Sequence, residues 1–267
     1  MKNNLGFTLI EVIIAMAVSL VIIGGAYKVF NSQQRQTVIQ ANVSDVQQTL
    51  RVVMDYVARD IRMAGYDPKI SGHFGVTDVR FHNLNDSVNA SGNSFIGFSW
   101  DRNGDGTLDA DETIEYSLVD NVNITPGVPD LYLRKPNVSA NRNVIGTNIV
   151  AFGLAYALDT NGDGNLEQNG SGGIAWYVDA GNDGSWDILT VNSGAGTSST
   201  ASTAISVNYK DIRSVHIWML AQSQAPDPKY TDNNTYVVGP HVVQPNNNFR
   251  HRMLERTVLC RNMGLNL

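Results

Sequence analysis

From Phe7 to Tyr27 the chain is apolar at almost every position, and Glu11 is the single charged residue in the run. About 20 such residues form a helix long enough to cross a hydrocarbon core roughly 30 Å thick. Beyond Lys28 the apolar positions thin to a stripe: Val43, Val46, Leu50, Val53, Val57, Ile61 and Ala64 step by three or four, the spacing of one helix face. Asp45, Gln48, Arg51, Asp55, Arg59 and Arg62 take the opposite face, with Arg51–Asp55 and Asp55–Arg59 one turn apart. No proline occurs before Pro68, and Gly65 supplies a stop signal. The pattern therefore predicts one helix over residues 7–65, membrane-spanning at 7–27 and then packed on a domain by its stripe. At about 1.5 Å per residue its length is on the order of 85 Å. Gly24 and Gly25 are where it could bend or admit a second helix closely, or they are simply small residues tolerated in a membrane helix.

After residue 66 the periodicity changes. Segments 76–81, 94–100, 113–119, 131–134, 149–158, 186–191, 212–220 and 253–260 are rich in β-branched and aromatic residues and predict strands. The polar stretches 192–204 and 223–235 are expected to be exposed loops within one domain. The fold class is thus α+β, with a long N-terminal helix, half in lipid and half packed on a β-rich head, residues 66–267.

Charge narrows the choice of partners. The 267 residues carry a formal net charge of −6, which argues against a nucleic-acid surface that must neutralise phosphates. The one cysteine, Cys260, lies in a strand-like run and is expected in the core. The leader MKNNLG is short, no small-residue cleavage site closes the apolar run, and Lys2 is the only charge before Glu11. These features predict a membrane anchor with a cytoplasmic N-terminus, and everything after Lys28 outside the cytoplasmic membrane. Glu11 is costly in that setting, since a carboxylate at the centre of a bilayer-spanning helix costs roughly 2.5–3.5 kcal/mol. It calls for a partner.

Three internal segments, 100–109, 158–167 and 178–187, repeat an apolar residue followed by acids at regular offsets around an Asp-Gly. The first continues to Glu112 and fits a complete calcium-loop pattern, with side-chain oxygens from Asp101, Asn103 and Asp105, the carbonyl of Thr107, Asp109 directly or through water, and bidentate Glu112; Gly106 permits the turn. The second offers Asp159, Asn161, Asp163, Asn165 and Glu167 but has Gly170 where the bidentate acid belongs. The third keeps Asp179, Asp183 and Asp187, has Gly181 in place of a donor, and reads equally as an Asn-Asp-Gly hairpin turn or as a donor of oxygens to the second. The expected ion is a structural Ca2+, which takes six to eight oxygens in flexible geometry.

Gly6-Phe7-Thr8-Leu9-Ile10-Glu11 followed by an uninterrupted apolar helix resembles the N-terminal signature of type IV prepilins and type II secretion pseudopilins. The resemblance implies a leader peptide at 1–6 cut after Gly6 by prepilin peptidase, N-methylation of Phe7, and pairing of Glu11 with the terminal amine of a neighbouring subunit. Segments 51–68, 211–223 and 250–262 resemble PilW-type minor pilins. Departures from many major pilins, namely no proline in the N-terminal helix, no C-terminal disulfide loop and a larger size, favour a minor subunit. The implied partners are other minor and major pilins, prepilin peptidase, an inner-membrane assembly platform and membrane lipid. The implied location is a single-pass inner-membrane protein with a periplasmic head, later in the pilus at the cell surface. A minor pseudopilin of a type II secretion system is the near alternative. A calcium-dependent adhesin or glycan-binding head on a pilin stalk is the alternative from another class, suggested by four tryptophans and the polar loops. His73, His82, His216, His241 and His251 show no metal-ligand spacing, and no nucleophile, phosphate-loop or CxxC motif occurs, so no enzyme activity and no catalytic residue is expected.

Overall fold

In the computed structural model, the described residues are 8–80, 94–109, 111–120, 129–134 and 142–263. The chain divides into two compact units, Met1–Ser44 and Asp45–Leu267. One helix, α1 (Leu9–Met63), runs through the first and into the second. Among the described residues it is the one helix long and apolar enough to cross a membrane, and its apolar window is wholly unburied. Gly24 and Gly25 lie within the helix, and a Cβ at either would meet nothing within 4 Å.

Within the head unit α1 buries the predicted stripe. Val46, Leu50, Val53, Val57, Ile61 and the following Ala64 are buried, Val43 is half-buried, and Met54 and Ala58 widen the buried face. The six polar positions expected opposite them are all exposed. Their ion pairs differ from the expected ones, because a strand lies within reach: Asp55 meets Arg256, while Arg59 Nε contacts Asp60 Oδ1 at 3.3 Å. Asp60 is a buried acid and accepts a 2.6 Å hydrogen bond from the Tyr116 hydroxyl. The helix ends as a left-handed cap requires. Gly65 has φ +76°, its N–H donates to Ser99 O at 2.9 Å, and a Cβ there would lie 2.9 Å from Met263 Sδ.

Two antiparallel sheets build the rest. The first has β1 (Val76–Arg80), β2 (Phe95–Ser99), β3 (Thr113–Asp120), β4 (Pro129–Arg134) and β5 (Arg142–Gly146) in sequential order. The second contains β6 (Ile149–Leu158), β7 (Trp176–Val178), β8 (Ser185–Asn192), β9 (Thr197–Ser206), β10 (Ile212–Gln222) and β13 (His251–Leu259), ordered β13-β10-β6-β7-β8-β9. A small hairpin pairs β11 (Tyr236–Val238) with β12 (His241–Val243). The helix stripe, the first sheet and one face of the second sheet share one core, which includes Phe98, Tyr116, Phe152, Leu154, Ile217 and Met219. The other face of the second sheet carries a smaller core of Ala151, Ala155, Val178, Leu189, Trp218, Leu220 and Val238. Gly153 is required there, because a Cβ would lie 2.1 Å from Val238 O of the overlying hairpin.

The α+β class and each predicted strand are present. Segment 192–204 is not the expected loop: residues from Thr197 onward form β9, paired with β8 from Asn192–Thr197 to Ser185–Ser206. Its Ser/Thr composition buries little on either side, so backbone pairing at the sheet edge holds it. Strands β5, β7, β11 and β12 are three to five residues long, too short for an alternation to declare itself.

Candidate functional site

The start of α1 is a reciprocal cap. Thr8 N–H donates to Glu11 Oε2 at 2.8 Å, the Thr8 hydroxyl donates to the same oxygen at 2.9 Å, and Glu11 N–H donates to Thr8 Oγ1 at 3.3 Å. Glu11 thus has a partner inside its own chain, which satisfies amide donors that every helix start leaves open. The Thr-x-x-Glu spacing signals this cap in the sequence. Gly6 and Phe7, the expected cleavage and methylation positions, lie outside the described residues, as does His82.

The first acidic loop joins β2 to β3. Asp101 and Glu112 are buried, at 1% and 2% exposure, and bracket it. Asp101 accepts from the amides of Gly104 and Gly106, and Glu112 from those of Arg102 (2.7 Å) and Asp109 (3.0 Å). Asn103 Oδ1 accepts from Asp105 N–H, and Asp105 accepts from the Thr107 amide and hydroxyl. Those Thr107 bonds hold the Asp105 carboxyl below the usual carboxylate range, with Asn103 and Lys69 adding to the effect. Gly104 and Gly106 have φ of +78° and +74°, so the turn expected at Gly106 is present. Asn103 Nδ2 donates to Asp105 Oδ2 and Asp109 Oδ2 at 3.1 and 3.0 Å. The positive end of an amide dipole therefore stands where these acids approach one another. The loop is tied to the end of α1: Asp101 N–H donates to Tyr66 O at 2.8 Å, and Lys69 Nζ to Asp105 O at 3.0 Å.

The second loop, between β6 and β7, uses the same template. Asp159 is buried and accepts from Gly162 and Gly164, Asn161 accepts from Asp163, and Asp163 from Asn165. Glu167 reaches back to the Thr160 amide and hydroxyl, the position that Glu112 serves in the first loop at Arg102. Asp159 Oδ2 also faces Arg213 Nε at 3.4 Å. A guanidinium already compensates this acid, a cation that the loop pattern alone does not reveal. In the third loop, between β7 and β8, Asp179 accepts from Asp183 and Gly184, Asp183 accepts from Ser185, and Asp187 accepts from Ala180. Burial raises the Asp179 carboxyl above its ordinary range, and Asp183 and Asp187 add to it. Asn182 and Gly184 supply the positive φ of a tight turn.

No group of three or more His, Cys, Asp or Glu side chains converges as a metal-holding cluster among the described residues. The carboxylates face loop amides. The first loop supplies oxygen donors, buried end acids and left-handed glycines with, among the described residues, no fixed cation on Asp101 or Glu112, a chemistry suited to a hard divalent ion. The second has its leading acid engaged by Arg213.

An unburied apolar helix whose first turn is capped by Thr8 and Glu11, and which continues into a β-rich head, defines the class: a type IV pilin-like, membrane-anchored subunit. The prokaryotic N-terminal methylation motif matches residues 1–27. The chain belongs to the Type IV Pilus-assembly protein W family, whose profile matches residues 115–262, more than half of its length. The family of prepilin peptidase-dependent protein B matches residues 40–130. No curated protein matches the chain. Among solved structures, the type IV-like pilin TTHA1219 from Thermus thermophilus is similar at 12% identity and a TM-score of 0.39, over 82% of this chain and 97% of that one.

Proposed function

We propose that this minor pilin primes or caps assembly of a type IV pilus. In this reading prepilin peptidase removes residues 1–6, Phe7 is N-methylated, and α1 holds the subunit in the inner membrane with its head in the periplasm. Other minor and major pilins then meet it at the assembly platform and draw it into the filament. One observation carries the reading: an apolar helix without burial in its own chain bears a single acid at its start, within a matched methylation motif. Such a helix needs lipid first and other helices afterwards.

Calcium belongs to this proposal as a structural ion of the first loop. Asp101, Asn103, Asp105, the Thr107 carbonyl, Asp109 and Glu112 would hold it, and its charge would relieve repulsion among the five acids that lie within these 12 residues. Asp159, Asn161, Asp163, Asn165 and Glu167 would form a poorer site because Arg213 competes. Asp179, Asp183 and Asp187 are accounted for by the hairpin turn.

Mass spectrometry of sheared pili and of membrane pilin complexes from the native host tests the assembly role. The expected finding is a mature chain beginning at N-methylated Phe7 in one of these fractions. An uncut Met1 terminus in fibres, or absence from both fractions, overturns the proposal.

A further inference from the structure

The outward face of the second sheet contains a groove of about 360 Å³, lined in part by Trp176, Trp218, His216 and Glu255. That volume lies within the range of small-molecule pockets, roughly 300–1,000 Å³. Its origin is readable in side-chain size. Ala155 of β6 lies opposite His216 of β10, so a strand with a small outward residue runs between the aromatic side chains of β10 and Trp176 of β7. The His216 imidazole stacks on Trp218 with centroids 3.8 Å apart and planes 12° apart, and Trp176 stands perpendicular to it at 5.0 Å. Trp176 itself is half-buried and presents surface to the groove.

The polar groups are incomplete. His216 Nδ1 meets Thr257 Oγ1 at 3.2 Å, but its buried Nε2 makes no hydrogen bond among the described residues. Glu255 Oε2 lies 3.7 Å from that nitrogen, beyond a good hydrogen bond, and the Glu255 side chain is 59% exposed. A buried ring nitrogen left unpaired is costly. A ligand hydroxyl placed beside both atoms could accept from one and donate to the other. The same ligand must offer an apolar face, because the half-buried Trp176 presents flat aromatic surface to the groove beside the aliphatic Ile174, Ile188 and Val191. Glu255 is the one acid among the lining residues and none of them is Lys or Arg, which disfavours an anionic ligand. A purely apolar ligand would strip water from the carboxylate and the open nitrogen without replacing it.

We propose that this groove binds a neutral hexopyranose or N-acetylhexosamine unit, with the C–H face of the sugar on Trp176 and a hydroxyl shared by His216 Nε2 and Glu255. The site stands on the head's own geometry and holds whether or not the subunit primes assembly. The full chain in a non-glycosidic detergent provides the test, by saturation-transfer NMR and tryptophan fluorescence with lactose, maltose, cellobiose and N,N′-diacetylchitobiose, and with sialyllactose as the anionic comparison. At least one neutral disaccharide is expected to bind with a Kd between about 10 μM and 5 mM, and more tightly than sialyllactose. Trp176→Ala and Glu255→Ala should each weaken that binding about tenfold or more. If Trp176→Ala fails to fold, Glu255→Ala decides, since it alters a largely exposed side chain. No signal from any neutral disaccharide at about 10 mM, or binding unchanged in Glu255→Ala, overturns the proposal.

Discussion

Asp232 and His251 are almost completely enclosed, at 0% and 1% side-chain exposure, and meet at 2.9 Å. The Tyr236 hydroxyl donates to the same carboxylate at 2.9 Å, and Asn234 Nδ2 to its other oxygen at 2.7 Å. Burial pushes the His251 imidazole below its ordinary range, and Asp232 only partly opposes this. Burial raises Asp232, but Tyr236, Asn234 and His251 together hold it below the usual carboxylate range. The consequence for stability has one sign. Above the ordinary histidine value, about 6.5, neither folded nor unfolded chain carries the His251 proton and the head is at full stability. As pH falls below that, the unfolded chain takes up a proton that the folded chain resists, and stability declines; Asp232 adds a further loss below about pH 4. His216, also lowered by burial, acts in the same direction. Urea unfolding of the detergent-solubilised chain at pH 7.5 and 5.0 should therefore show a loss on acidification that is smaller in His251→Gln. An equal loss in the variant would assign the pH dependence elsewhere. The histidine pattern in the sequence suggests ordinary packed or surface residues, because the partners of His251, Asp232 and Tyr236, lie at sequence distances that no local motif links.

At the scale of elements, the helix was legible because its buried stripe follows a period that tertiary contacts do not alter, from Val46 to Ala64. The long strands were legible for the same reason. Strand β9 was not, because its ladder is made by backbone groups and its Ser/Thr side chains carry no burial signal. The acidic loops were half legible: the turn at Gly106 follows from the loop pattern, whereas the left-handed Gly104 was not read from it and Arg213 reaches Asp159 across the fold. This difference between loops yields a prediction. With a calcium ligand at 100 times its dissociation constant, a folded-state site adds about 2.7 kcal/mol, so calcium should raise the melting temperature of the full chain relative to chelator. Asp101→Ala with Glu112→Ala should remove that increment, and Asp159→Ala should leave most of it. The double variant should also melt lower in chelator, because the amides of Gly104, Gly106, Arg102 and Asp109 lose their acceptors. The calcium increment, not the absolute melting temperature, is the diagnostic quantity. An unchanged melting temperature of the wild type on adding chelator would remove the structural role of calcium.

For the whole molecule, the proposed assembly role turns on Glu11, which already has a partner in its own chain. Glu11 caps its own helix through Thr8, so a carboxylate in the membrane segment is compensated before any second subunit arrives. In an assembling fibre, an N-terminal amine from a neighbour would compete for that carboxylate, and in a low-dielectric core the attraction would favour one axial register even if its net energy after desolvation were small. Capping and charge pairing are separable by substitution. Glu11→Gln retains a carbonyl oxygen able to accept from Thr8 but loses the charge, while Glu11→Ala loses both; the cap alone contributes about 0.5–2 kcal/mol to the helix start. Both variants should insert in the membrane and be cleaved after Gly6 nearly as the wild type is, since neither lowers the apolar character of the span. Crosslinking to partner pilins in membranes, together with recovery in sheared pili, should fall in Glu11→Ala. A similar fall in Glu11→Gln assigns the effect to charge, and wild-type behaviour there assigns it to the cap. Wild-type crosslinking and recovery in Glu11→Ala would show that neither role of Glu11 governs entry into the filament.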